Sequence, residues 1–212
     1  MTSPRAHLIG TAAVVVVSGV VGVLSYVVFH RWSRGGVQTS TAADAPAPVD
    51  DASPPRLAVP RESPFPAEDR AKAMELLSAL KQNANVAFRE SRYDDALRGY
   101  QDCIEVTSVL GAGDAEAVQA EMVVRANIAM VCIRMQEYDA ARAVATMLLQ
   151  DAAVALPDDL KVKVLYRRGL ASKALNERGA ALADFIAAVH FSKDQQNPAA
   201  EKEIALLRRA GG

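Results

Sequence analysis

From residue 67 onward, apolar positions recur at three- and four-residue intervals, and no stretch alternates apolar and polar residues as a half-buried strand does. The pattern predicts three helix pairs: 68–90 with 93–110, 115–136 with 138–151, and 158–176 with 178–192. A last helix over 198–209 would cap them. Each tight turn carries the same grammar, ESRYDDAL, MQEYDAAR and LNERGAAL. A small residue recurs in each second helix (Ala96, Ala141, Ala181). It is matched at a constant interval upstream in each first helix by Ala84, Ala129 and Gly169. The distance between packed helices depends on the side chains at the crossing, so small residues at matched places predict close pairs. Tyr100 and Phe185 add a large residue one turn after Ala96 and Ala181, where the second pair has Ala145.

The chain ahead of these helices has a different pattern. Residues 8–29, LIGTAAVVVVSGVVGVLSYVVF, carry no charge. As a helix this run would reach about 33 Å, enough for a hydrocarbon core of about 30 Å. The apolar region of a cleaved signal peptide is shorter and ends in a small-x-small site. This run ends in Phe29-His30-Arg31-Trp32, which suits a retained transmembrane helix. Arg31 and Arg34 after it, against Arg5 before it, point to a cytosolic carboxy-terminal part. Residues 30–66 are rich in Pro, Ala, Ser, Thr and Asp, as in DAPAPVDDASPP, and read as a disordered linker of polyproline character. The expected organisation is a short tail over 1–7, the anchor over 8–29, the linker over 30–66 and a folded domain over 67–212. Within that domain the repeats fall at 67–110, 115–153 and 158–192.

Composition narrows the function classes. The chain has 212 residues, room for one or two domains, and a formal net charge of −1, which lacks the basic signature of a nucleic-acid binder. Cys103 and Cys132 fit no metal spacing and read as buried thiols. His7, His30 and His190 are too scattered to build a triad or a metal site. The paired acids Asp94-Asp95 and Asp158-Asp159 stand at helix starts, where carboxylates favour the helix dipole, so capping is their expected role. No catalytic assembly, cofactor, metal or small-molecule substrate is expected, and the chain reads as a non-enzyme.

The polar residues of the first helix of each pair form a constellation. In KVLYRRG, Lys163 and Arg167 are four residues apart, on one helix face. In ALKQNANVAF, Lys81 and Asn85 have the same spacing. In VVRANIAMV, Asn127 is the matching amide. The helix register resembles the tetratricopeptide repeat (TPR), a helix-turn-helix unit of roughly 34 residues. The spacings from Ala96 to Ala141 and from Ala141 to Ala181 are longer than that repeat, and no proline closes the first unit. The extended segment VTSVLGAGDAEAVQAEMVV is similar to those of large immunophilins. The resemblance implies an all-α fold: three TPR hairpins stacked as a right-handed solenoid with a capping helix, behind one transmembrane helix and a disordered linker.

The five polar residues resemble the two-carboxylate clamp of TPR co-chaperones such as the heat-shock organising protein. That family has Lys-xxx-Asn, Asn and Lys-xxx-Arg in three successive first helices. The resemblance implies that Lys81, Asn85, Asn127, Lys163 and Arg167 bind the Glu-Glu-Val-Asp carboxy-terminal tails of seventy- or ninety-kilodalton heat-shock chaperones. Lys81, Asn85 and Asn127 would hold the main-chain carboxylate, and Lys163 and Arg167 the side-chain carboxylates. Anchor and clamp together resemble the layout of mitochondrial outer-membrane import receptors, with the endoplasmic reticulum as the competing location. A scaffold subunit of a membrane complex, without chaperone binding, is the alternative.

Overall fold

The computed structural model describes residues 66–151 and 155–209. The chain divides into two units, Met1–Pro60 and Arg61–Gly212, and every described residue lies in the second. The expected transmembrane helix over 8–29 and the linker up to residue 65 lie outside the described residues. Among the described residues there is no strand, and no helix is long and apolar enough to cross a membrane.

The helices are α1 (Ala67–Arg89), α2 (Tyr93–Leu110), α3 (Ala115–Arg134), α4 (Tyr138–Gln150), α5 (Asp158–Ala174), α6 (Arg178–Phe191) and α7 (Pro198–Arg209). A single 3-10 turn, Lys193–Gln195, precedes α7. Successive helices pack on one another, and the first helices of the pairs also touch, α1 with α3 and α3 with α5.

The shared turn grammar has a shared backbone cause. Arg92 N–H reaches Ala87 O at 2.9 Å, Glu137 N–H reaches Cys132 O at 2.8 Å, and Glu177 N–H reaches Ser172 O at 2.8 Å. Inside each loop one residue is left-handed: Ser91 (φ 61°), Gln136 (φ 64°) and Asn176 (φ 60°). This closure satisfies carbonyls that a helix end otherwise leaves without partners. It also explains why α1, α3 and α5 stop one or two residues before the sequence pattern suggests. Their last expected residues form the turn itself.

Close approach occurs where the small residues predict it. Ala84, Ala96, Ala129, Ala141, Ala181 and Gly169 are all buried. Phe185 is 0% exposed and packs with Leu165, Ala188, Ala200 and Leu207, which joins α5, α6 and α7. Burying a ring of that size contributes about 1.5–3 kcal/mol. In the second pair, Ala145 sits among Met122, Leu148, Leu160 and Val164, so the core there is built from side chains of α3, α4 and α5. Gly99 packs against Ala84, a contact the sequence pattern did not single out.

The capping expectation is corrected in part. Neither α2 nor α5 has a side-chain cap hydrogen bond; their N-cap positions are Arg92 and Pro157. Asp94, Asp95, Asp158 and Asp159 lie in the first turns, where the helix dipole favours a carboxylate. Asp95 instead accepts from Arg92 at 2.7 Å and from Arg98 at 2.5 Å. The side chain that does cap is Asp114, which accepts from the backbone N–H of Glu116 and Ala117, both at 3.1 Å, at the start of α3. Arg70 of α1 grips the same carboxylate from the other side, at 2.5 and 3.0 Å. Asn197 caps α7 by accepting from Ala200 N–H, and Glu201 accepts from Asn197 N–H in return.

Candidate functional site

The site is assembled from α1, α3 and α5, with α2 supplying its floor. Helical periodicity places Lys81 one turn before Asn85 on α1, and Lys163 one turn before Arg167 on α5. Asn127 lies in the second half of α3. Lys81, Asn85, Asn127 and Arg167 are half-buried, and Lys163 is exposed.

Two hydrogen bonds involve three of the five, one between Arg167 and Asn127 and one between Tyr100 and Asn85. The guanidinium of Arg167 donates from Nη1 to the carbonyl of Ala126 and, at 3.4 Å, to Oδ1 of Asn127. From α2, the Tyr100 hydroxyl donates to Oδ1 of Asn85 at 2.6 Å. The Asn127 side chain lies close enough to that hydroxyl to act on it. Asn85, Tyr100, Asn127 and Arg167 therefore form one polar track across α1, α2, α3 and α5. Burial pushes the Tyr100 hydroxyl up from its ordinary pKa, while Asn127 and the Arg167 charge pull it the other way. Lys81 lies near enough to the buried Cys103 to favour its thiolate, but burial dominates and raises that thiol to about 11.

The charge of Arg167 sets it apart. Every other half-buried or buried arginine among the described residues has a carboxylate partner. Arg70 has Asp114, Arg125 has Glu121, Arg142 has Glu177, and Arg168 has Asp184. Arg167 has only a carbonyl and an amide oxygen, and burial holds its pKa below the usual guanidinium value. Lys81 and Lys163 form no ion pair among the described residues, although Asp159 stands one turn before Lys163. Lys173, in contrast, is paired with Glu203 at 2.5 Å. No hydrogen bond joins Lys81 or Lys163 to the track among the described residues, and Arg167 brings it N–H donors with no carboxylate to meet them, which fits an anion.

Tyr100 entered the sequence reading only as a large packing residue. The missed signal was its hydroxyl: a phenol 2% exposed needs a hydrogen-bond partner, and the polar residues facing it on α1 and α3 were already marked. The Arg70–Asp114 and Arg168–Asp184 pairs had no such signal, because each joins two helices whose relative rotation only the fold supplies.

The chain matches no protein-family model and no curated protein sequence. Solved structures do match. The TPR domain of Arabidopsis OM64 superposes with a TM-score of 0.51 at 23% identity, over 65% of this chain and 98% of that one. The first TPR domain of human RPAP3 gives a TM-score of 0.51 at 19% identity, over 64% of this chain and 91% of that one. The first TPR of Spaghetti (RPAP3), bound to the HSP90 peptide SRMEEVD, gives 0.50 at 20% identity, over 64% and 93%. The fold is that of a TPR domain. Its three hairpins are α1–α2, α3–α4 and α5–α6, and α7 covers the last of them.

Proposed function

We propose that this TPR domain is a non-catalytic docking module for the carboxy-terminal tails of seventy- or ninety-kilodalton heat-shock chaperones. The tail ends in Glu-Glu-Val-Asp, and Lys81, Asn85, Asn127, Lys163 and Arg167 grip its terminal aspartate. The observation that carries this reading is Arg167. A half-buried guanidinium without a counter-ion is costly to hold, and the cost is offset when a ligand brings the carboxylate. The peptide SRMEEVD bound by the Spaghetti domain of the same fold supports this choice of ligand. Arg can take a carboxylate with two parallel bonds, and each charge-assisted bond contributes about 1.5–3 kcal/mol before ordering costs. Several together give about micromolar affinity, suited to transient docking.

The test is a titration of the full chain in detergent with a chaperone-tail peptide, repeated with the peptide's terminus amidated. Docking requires binding that weakens on amidation and for Lys163→Ala or Asn85→Ala. Binding indifferent to all three changes would favour the scaffold reading, in which another face does the work.

On the same proposal, the uncharged run over 8–29 anchors the domain to an organelle, with the docking surface in the cytosol. The length of that run and its Arg31 and Arg34 flank support this placement. The mitochondrial outer membrane comes first and the endoplasmic reticulum second. A carboxy-terminal fluorescent fusion on isolated organelles should be digested by added protease without detergent; protection would reverse the topology.

A further inference from the structure

Arg167 is an obligate donor, since a guanidinium has no acceptor atom. Its bond to Asn127 therefore fixes that amide with Oδ1 toward α5. The opposite end of Asn127, its NH2 group, is left for the Tyr100 oxygen. The single proton of the Tyr100 hydroxyl then goes to Oδ1 of Asn85, at 2.6 Å. The two bonds, Arg167 to Asn127 and Tyr100 to Asn85, run the same way, from α5 toward α1. At its end the Asn85 carbonyl is committed to Tyr100. The Asn85 NH2 group donates to no protein acceptor among the described residues.

An amide is nearly symmetric in shape, and its two ends differ only in whether they donate or accept. We infer that Tyr100 is a positioning residue that locks the Asn85 amide with its NH2 toward the ligand, and so makes the site select a terminal carboxylate over a carboxamide. This rests on the docking reading above. It adds that the selection is set by a buried phenol that never touches the peptide. With Tyr100→Phe the Asn85 side chain is free to turn over. Its carbonyl would then repel a carboxylate and accept from a carboxamide.

The experiment compares two peptides ending in Glu-Glu-Val-Asp, one a free acid and one a carboxy-terminal amide, against the full chain in detergent. For Tyr100→Phe, the expected result is an acid affinity about three- to tenfold weaker, with amide affinity unchanged or slightly higher, so that the acid-to-amide ratio contracts. In an Asn85→Ala background the same substitution should change the ratio by less than about twofold, because the amide it orients is gone. A second readout needs no Tyr100 variant: the Asn85 side-chain NH2 resonances of the wild-type protein should shift with the acid peptide and stay with the amide. An unchanged ratio in Tyr100→Phe, equal loss for both peptides, or Asn85 resonances that ignore the acid would each overturn the role of Tyr100 while leaving docking intact. A wild-type chain with no preference for the acid would overturn both.

Discussion

Gly169 lies so close to Phe185 that a Cβ on it would stand 2.8 Å from Cε1 of the ring. The ring is 0% exposed and walled in by Leu165, Ala188 and Leu207, so it has nowhere to retreat. In an open helix, Gly→Ala gains about 1 kcal/mol from propensity. Here the overpacking cost of about 1–3 kcal/mol should win. Gly169→Ala is therefore expected to lower the midpoint of urea unfolding, and Phe185→Leu in the same chain to recover part of the loss. A Gly169→Ala protein more stable than wild type would mean that α5 and α6 are not held this closely.

Arg167 and Arg168 are neighbours in sequence with opposite bookkeeping. Arg168 is bonded at 2.7 and 2.9 Å to Asp184, which is only 6% exposed. Arg168→Met should orphan that carboxylate and cost about 1–3 kcal/mol. Arg167→Met removes a charge that no side chain neutralises. It should leave stability unchanged or raise it by about 1 kcal/mol, while abolishing binding of the chaperone-tail peptide. Thermal melts of the two variants, set beside peptide titrations, separate the structural cation from the functional one.

The Arg70–Asp114 contact gives a dependence on pH. The Arg70 hydrogen bonds hold the Asp114 carboxyl below its ordinary value of 3.8. A carboxylate lowered in the folded state contributes stability that is complete above the unfolded value. That stability disappears as pH falls from 3.8 through the folded value. Asp114→Asn can still cap α3 but cannot charge, so its unfolding midpoint should vary less than that of wild type below about pH 4. Asp114→Ala loses the cap as well and should cost about 0.5–2 kcal/mol at neutral pH. Melting curves across pH 3–7 would check both, and parallel curves for wild type and Asp114→Asn would refute the linkage.

Gln136 holds a φ of 64° in the turn between α3 and α4. A side chain with a Cβ costs about 1–2 kcal/mol in that conformation, against a smaller entropy cost for glycine in the unfolded chain. Gln136→Gly should therefore stabilise the domain by up to about 1 kcal/mol. The same change at Asn176 should yield less, because asparagine tolerates the left-handed region better. Equilibrium unfolding of the two variants side by side would rank them.

Much of this fold could be read from the sequence because its determinants are local. The turn strings around Ser91, Gln136 and Asn176 announce the same closure, and Ala84 with Ala96, or Gly169 with Ala181, announce close pairs within one hairpin. Lys81 and Asn85, or Lys163 and Arg167, share a face by helical geometry alone. What could not be read depends on how packed helices are rotated against one another. Asp114 as a cap shared with Arg70 depends on how α1 approaches α3, and the Tyr100 bridge between Asn85 and Asn127 depends on how α2 lies beneath both. Asp158 and Asp159 were misassigned because a carboxylate in a first turn and a carboxylate at a cap look alike in sequence.

The left-handed closures at Ser91 and Gln136 have a consequence for how such a surface tolerates change. Each helix turns by about 100° per residue, so one residue inserted in a turn can swing everything downstream out of phase. The Ser91 turn lies between Asn85 and Asn127, and the Gln136 turn between Asn127 and Arg167. Like tumblers in a lock, the three residues meet only when every spacing is correct. Length changes in the loops should silence the surface long before they unravel the helices that carry it.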